Sequence, residues 1–374
     1  MLNHEITLSK NCLAVLYFTV TNDLSYDQRM HRICSSLSEE GHRVVLVGRK
    51  RKDSVSLSKM PFKQVRLKCP AERGFFFYAI YNLQLFFFLL FRKMDGICAI
   101  DLDTILPVLW MSRLKGVKRV YDAHELFCEM KEIAGRPRLH AFWKKIEKYA
   151  VPKFKYGYTV NQPIADEFKR MYGSNYGVVR NIAPYDPLKM GVEKDRFILY
   201  QGAVNEGRSF ETLIPAMKWV NCTLMICGNG NFQKRAKELV EVHEVKDKVI
   251  FRGMVEPIEL KRITSRALIG ITLFEKGALS NYYSLANRFF DYIHAGVPQL
   301  CSDYPAYREI NNRYKVAVLI NDHSPESIAM NLNSLLHDQV RWENLHRECM
   351  LAAREFNWQE ESAKLRAYYK QIFD

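Results

Sequence analysis

Residues 283–298, YSLANRFFDYIHAGVP, read as a loop, a helix, a glycine stop and the entry to a buried strand. The helix would begin around residues 284–287 (Ser284, Leu285, Ala286 and Asn287), where the first backbone N–H groups have no partner within the helix and suit an anion. Arg288 stands in the first turn, the wrong end of the helix dipole for a cation, and a bound anion would resolve that conflict. Asp291 follows at i+3, on the same side of the helix. Its carboxylate suits the hydroxyls of a ribose, while the same spacing also suits an ordinary surface ion pair.

Working outward, strand-like apolar runs alternate with amphipathic helical stretches along the chain. The strand-like runs are 13–19, 44–47, 96–100, 119–121 and 157–160, then 197–201, 223–227, 249–252, 268–273, 299–301 and 317–320. The helical stretches are 27–40, 104–114 and 138–150, then 210–218, 232–242, 257–265, 287–294, 325–336 and 359–373. This alternation predicts α/β architecture: two Rossmann-like, doubly wound parallel sheets in succession, with ligands at the carboxyl ends of the strands. At 374 residues the chain suits two such domains. The proline- and glycine-containing stretch 181–195 is the expected linker, giving domains 1–188 and 189–356 with a final helix over about 357–374.

Two further loops join a strand to a helix. Gly202 closes the run 197–201, and Arg208 guards the entrance of the next helix, where a charge-assisted contact to phosphate is favourable. Gly228 and Asn229 occupy the second loop, which suits either close approach of backbone to a ligand or a plain tight turn. In the first domain His124 follows the run 119–121, placing an imidazole at a strand end. Glu125 beside it is a candidate to orient His124 or to meet an acceptor, and Asn22 and Arg29, after the first strand, are further acceptor candidates. A structural histidine bonded to backbone is the alternative for His124. Asp27 is a natural N-cap for the helix that follows, and Asp101 and Asp103 also read as helix-capping acids.

The bulk properties narrow the function classes. Net charge is +14, with 48% hydrophobic and 26% charged residues and no low-complexity tract. The basic excess suits phosphate-rich partners such as nucleotide diphosphates or anionic lipid head groups. No helix carries a dense basic face with interleaved aromatics, so nucleic acid is not an expected partner. Nine cysteines fall at irregular spacing, without C-x-x-C pairs or zinc-like Cys/His clusters. Together with an N-terminus that lacks a cationic segment leading into an apolar one, they predict a cytoplasmic protein. Cys12, Cys98, Cys227 and Cys301 lie in apolar runs and read as core residues. The run 75–91, FFFYAIYNLQLFFFLLF, is at the short limit for a membrane span and carries Asn82 and Gln84 near its middle. It reads first as a domain helix, and the flanking Arg92 and Lys93 also suit contact with an anionic membrane surface.

The 284–298 stretch resembles the donor-binding region of the retaining GT-B glycosyltransferases of family 4, and specifically a bacterial subgroup with the motif S-L-P-N-K-x-F-E/D-Y-x-x-A-G-x-P. The segment 21–31, TNDLSYDQRMH, resembles that subgroup's N-D-x-x-x-D-Q-R-x-H opening, and DLDTILP (101–107) and YDAHEL (121–126) match two more of its segments. The resemblance implies two Rossmann-like domains facing across a cleft, the second holding the nucleotide, and a final helix returning to the first. It implies transfer of a sugar from a UDP- or GDP-linked donor to a saccharide or lipid-linked acceptor, with retention and without a metal or other cofactor, in surface polysaccharide or glycolipid synthesis. It implies donor binding by Gly202, Gly228, Asn229, residues 284–287 and Asp291, with His124, Arg208 and Arg288 as the catalytic groups. The work would take place in the cytoplasm, at the inner face of the membrane. Ala286 replaces the proline of that motif and Arg288 its lysine, which leaves the charge pattern intact, and two further departures matter. Ala203 stands where many relatives carry arginine, and Tyr283 where they carry the first glutamate of Glu-x7-Glu. A nucleotide-sugar epimerase or hydrolase of the same fold therefore stays open, as does a non-enzymatic nucleotide- or nucleic-acid-binding protein.

Overall fold

The computed structural model describes residues 13–25, 27–186, 193–277 and 279–374. They divide into two compact units, one of residues 1–180 with 361–374 and one of residues 181–360. The boundary expected at 188/189 lies outside the described residues, as do Tyr26 of the 21–31 segment and Cys12.

The N-terminal unit is built on seven parallel strands: β1 (Val15–Thr19), β2 (Arg43–Lys50), β3 (Lys63–Lys68), β4 (Gly96–Ile100), β5 (Lys118–Ala123), β6 (Tyr156–Thr159) and β7 (Gly177–Val178). Their order is β3-β2-β1-β4-β5-β6-β7, so the winding reverses between β1 and β4. The second unit repeats the plan with six parallel strands: β8 (Phe197–Gln201), β9 (Thr223–Cys227), β10 (Val249–Gly253), β11 (Ile269–Thr272), β12 (Gln299–Ser302) and β13 (Ala317–Ile320). Here the order is β10-β9-β8-β11-β12-β13, with the reversal between β8 and β11. At such a switch point the flanking crossovers leave in opposite directions and open a crevice beyond the strand ends.

Burial explains which strands the sequence reveals. Every residue of β4, β8, β11 and β12 is buried, and their apolar stretches show in the sequence, with the polar Gln201, Thr272, Gln299 and Ser302 only at strand ends. By contrast β3, KQVRLK, is an edge strand with no buried residue and three basic side chains, Lys63, Arg66 and Lys68, so it leaves no apolar signal. The two-residue β7 leaves none either. Three helices of nine or more residues also lie outside the sequence expectation, Gln162–Tyr172, Pro305–Arg313 and Gln339–Ala353, as do the single turns Lys131–Ala134 and Leu279–Tyr282. The first is capped by the Asn161 side chain, which accepts from Ile164 N–H, and ends on Gly173 in the left-handed region.

Helix Gly74–Leu90 turns only Phe77, Tyr81, Leu85 and Leu89 into the core, a stripe at every fourth residue. Asn82 donates to the Asp103 carbonyl at 2.9 Å, which explains one of the amides in this apolar helix. No helix among the described residues is long and apolar enough to cross a membrane. The eight cysteines among the described residues are free thiols, and Cys98, Cys227 and Cys301 are buried as expected of core residues.

The last helix, Trp358–Phe373, lays its far end on the N-terminal sheet. A Cβ added to Gly96 would fall 2.2 Å from the Phe373 ring, so the missing side chain on β4 is the seat of that ring. Tyr368 donates to the Gly157 carbonyl at 2.9 Å, and Glu361 accepts from the Arg180 N–H at 2.8 Å.

Candidate functional site

In the second unit the loop after β8 is forced against the loop after β9. Gly228, at φ +142°, leaves no room for a side chain, since a Cβ there would lie 1.9 Å from the Gly202 carbonyl oxygen. Gly202 N–H donates to Cys227 O, Gly228 N–H to Gly253 O and Val204 N–H to Asn229 O. Gly202, Gly228 and Asn229 are therefore brought together, with Asn229 exposed.

Beside this pair lies the β8/β11 reversal, and four side chains converge there. The Arg288 guanidinium carbon sits 4.7 Å from the ring centres of both Tyr200 and Phe274, and Nη1 lies 3.4 Å from the Tyr200 hydroxyl. A Cβ on Gly202 would approach that Nη1 to 3.3 Å. Arg208 stacks its guanidinium 4.4 Å from the same Phe274 ring and donates to Asn281 Oδ1 at 3.2 Å. The aromatic faces orient both cations without neutralising them. Arg288 is buried, and its Nε and Nη2 have no hydrogen-bond partner among the described residues. A buried guanidinium with orphaned donors is costly, and an anionic ligand would satisfy it.

Helix Asn287–His294 begins without a side-chain cap and without an acid in its first turn. Asn287 is exposed. The expectation of open N–H groups across 284–287 is corrected at Ser284 and Ala286, whose N–H groups donate to Asn281 O at 3.2 Å and to the Tyr307 hydroxyl at 3.1 Å. Ser284 turns inward, donating its hydroxyl to Asn281 O at 2.8 Å, and Leu285 packs on the core. Asp291 accepts from Gln201 Nε2 at 2.9 Å, so Gln201 fixes this carboxylate at the end of β8.

In the first unit the residues after β4 and β5 build a compact charge network. His124 Nδ1 lies 3.2 Å from Asp101 Oδ2, and its backbone N–H donates to Asp101 Oδ1 at 2.8 Å. Its Nε2 lies 3.3 Å from Asp122 Oδ2, at an angle that makes an ion-pair contact but no directed hydrogen bond. Asp122 is also gripped by Arg29, with Nη2 at 2.8 Å and Nε at 3.3 Å. Burial disfavours the His124 charge, but the Asp101 and Asp122 carboxylates outweigh it and raise its pKa to about 9. Burial pushes Asp101 up to about 6 against the pull of His124, whereas for Asp122 the pull of Arg29 and His124 overcomes burial and lowers its pKa. At neutral pH the network holds two cations and two anions. Asp101 adopts φ 54°, ψ −179°, a region that strains a residue with a side chain.

These contacts revise three expectations. Arg29 is 3% exposed, clamped to Asp122 and donating to Val179 O at 3.0 Å, so it is buried structure and no surface contact for an acceptor. Glu125 is half-buried, and Asp101 and Asp122 take the positions beside the imidazole nitrogens that Glu125 was expected to fill. Asp101 is not a side-chain cap: no capping hydrogen bond forms, and its carboxylate serves His124. Asn22 remains exposed and donates to Asp27 at 3.3 Å, while Asp27 caps its helix at Met30 N–H as expected. Sequence reading missed Phe274 because a buried aromatic after a strand reads as core. It missed Asp122 because one acid inside an apolar strand shows no partner.

Residues 189–356 match the family model described as Glycosyl transferases group 1. An uncharacterized glycosyltransferase of Methanocaldococcus jannaschii is 26% identical over 156 residues, which are 40% of this chain and 38% of that protein. The match thus spans well under half the length of that relative. Sucrose-phosphate synthase from Thermosynechococcus elongatus superposes with a TM-score of 0.79 at 14% identity, over 96% of this chain and 99% of that one. HepE of Anabaena, solved in complex with UDP-glucose, gives 0.73 at 10% identity over 96% and 100%. WaaG, a glycosyltransferase involved in lipopolysaccharide biosynthesis, gives 0.69 at 13% over 95% and 99%. The two parallel α/β units have the fold of the GT-B glycosyltransferases, and the match to the glycosyl transferases group 1 model covers residues 189–356, a little under half of the chain.

Proposed function

We propose that the chain transfers a sugar from a UDP- or GDP-linked donor to a saccharide or lipid-linked acceptor, with retention at the anomeric carbon. The observation that carries this reading is Arg288, a buried guanidinium with Nε and Nη2 orphaned beside Gly202 at the β8/β11 reversal. A diphosphate supplies the acceptor oxygens that those donors lack. Arg208, on the same Phe274 ring, adds a second cation, and Asp291 is the candidate for the ribose hydroxyls.

In this reading the bond between the anomeric carbon and the donor phosphate breaks as the acceptor oxygen bonds to that carbon. Negative charge grows on the diphosphate, where Arg208 and Arg288 stabilise it more in the transition state than in the ground state. The acceptor's proton passes to the departing phosphate oxygen on the same face of the sugar. In this reading His124, charged at neutral pH with its ring nitrogens facing Asp101 and Asp122, would position its strand end, and Asn22 is the candidate for the acceptor. Such a site would work in the cytoplasm, at the inner face of the membrane, without a metal.

Thermal unfolding with UDP, GDP, ADP and their sugars tests the donor: a selective ligand raises the midpoint by mass action. Turnover with that sugar, followed by NMR of the product's anomeric configuration, tests the transfer. Nucleotide binding that is unchanged in Arg288→Ala, or an inverted product, would overturn the corresponding part.

A further inference from the structure

We propose that an apolar cavity in the N-terminal unit holds the hydrocarbon chain of a phosphorylated single-chain amphiphile, the lipid carrier of the acceptor. This deepens the reading above and rests on its lipid-linked acceptor. The cavity has a volume of about 1080 Å³ and is walled by helices Gly74–Leu90, Ile105–Lys115 and Pro137–Ala150. Leu102 and Asp103, just after β4, and Phe127, just after β5, also line it. The cavity therefore opens from the same two strand ends that carry Asp101 and His124.

Its lining is hydrocarbon held in water. Phe75, Leu83, Phe87, Trp110 and Phe142 all line it and are between 42% and 63% exposed. Scattered exposed apolar residues are ordinary, but five around one cavity form a patch that a ligand stabilises by removing it from water. The lining offers little to a free sugar. Asn82 Nδ2 already donates to Asp103 O, and Asp103 already accepts from the Thr21 hydroxyl at 2.5 Å, which leaves Asn82 Oδ1 as a single buried acceptor without a partner among the described residues. The many hydroxyls of a hexose buried there would lose their hydrogen bonds to water, whereas a methylene chain has none to lose.

Charge identifies the head group. Residues 73–93 and 131–148, which supply two of the walls, carry nine Lys or Arg against two Glu. Arg136 and Arg138 line the cavity and are exposed, with Glu132 and Asp103 as the acids of the lining. The helix starting at Pro137 has no side-chain cap and no acid in its first turn, so its positive end adds to the two arginines. A second copy of the chain would bring the same basic surface to this face, like charge against like. A phosphate head brings the complement.

The test uses the full chain and dodecyl phosphate below its micellar concentration, read by calorimetry and by the fluorescence of Trp110 and Trp143, which both line the cavity. We expect saturable one-to-one binding, at least tenfold weaker for dodecyl maltoside and undisturbed by inorganic phosphate. Ala79→Trp, which places a large ring in the cavity from an exposed small position, should weaken binding at least tenfold. Arg136→Glu combined with Arg138→Glu should do so for the phosphate amphiphile alone, with the unfolding midpoint and nucleotide binding unchanged. Non-saturable uptake, equal binding by Ala79→Trp, or binding only to anionic vesicles would overturn the proposal. Self-association that covers the patch, seen by sedimentation, would also overturn it. Loss of nucleotide binding to the wild-type chain, with amphiphile uptake intact, would instead sink the transferase reading and leave the cavity's ligand standing.

Discussion

The Arg288 guanidinium carbon lies 4.7 Å from the centre of the Phe274 ring, held by a face that orients its charge without cancelling it. Replacing Arg288 by Met keeps the stem and removes the orphaned cation. Nucleotide binding should then fall by about 10- to 100-fold, the worth of one or two charge-assisted hydrogen bonds. The ligand-free protein should unfold at the same temperature or higher, because a buried uncompensated charge is gone. Calorimetry with UDP and GDP, beside thermal unfolding, checks both halves. A lower midpoint with unchanged binding would make Arg288 a structural residue.

Gly228 and Gly202 pack backbone on backbone, so Gly228→Ala cannot be absorbed by a side-chain shift. With the positive φ added, the substitution should cost about 3 kcal/mol or more and displace the Gly202 loop from Arg288. Denaturant unfolding measures the cost. A loss below about 1 kcal/mol would mean that the two loops separate easily.

His124 gives the stability a pH signature. An unfolded histidine titrates near 6.5, and in the fold the pKa is about 9. The extra stability is fully present below pH 6.5 and is lost as pH rises through about 9. His124→Gln should remove this alkaline fall, so the difference between the two proteins shrinks between pH 7 and pH 10. Parallel slopes for the two proteins across that range would contradict the assignment of charge to the imidazole.

Asp122 is wholly buried, and its partner Arg29 nearly so. Asp122→Asn strands the arginine's charge and should cost about 3–5 kcal/mol, whereas Arg29→Met with Asp122→Leu should recover much of the loss. Chemical denaturation of the single and double variants decides the matter. A cost under about 1 kcal/mol for the single variant would show that water reaches the pair.

Legibility in the sequence followed burial. All six strands of the second unit stand out as apolar runs, and Arg288 declared itself by standing at the positive end of a helix with no acid beside it. Edge strand β3 was silent because its side chains face half into water and keep their charges. The N-terminal site was half legible: His124 was visible at its strand end, but its two acids looked like a cap and a strand residue.

The sequence by itself determined the alternation of strands and helices, the glycine loops after β8 and β9, and the cation in the helix start. Only the tertiary structure decided what each charge meets: Phe274 beneath Arg288, Asp101 and Asp122 beside His124, and Arg29 turned into the core. Periodicity reports which face of an element is buried. The order of a parallel sheet is set by crossovers that bring distant strand ends together, and a charged group's pKa and availability depend on what those ends place beside it.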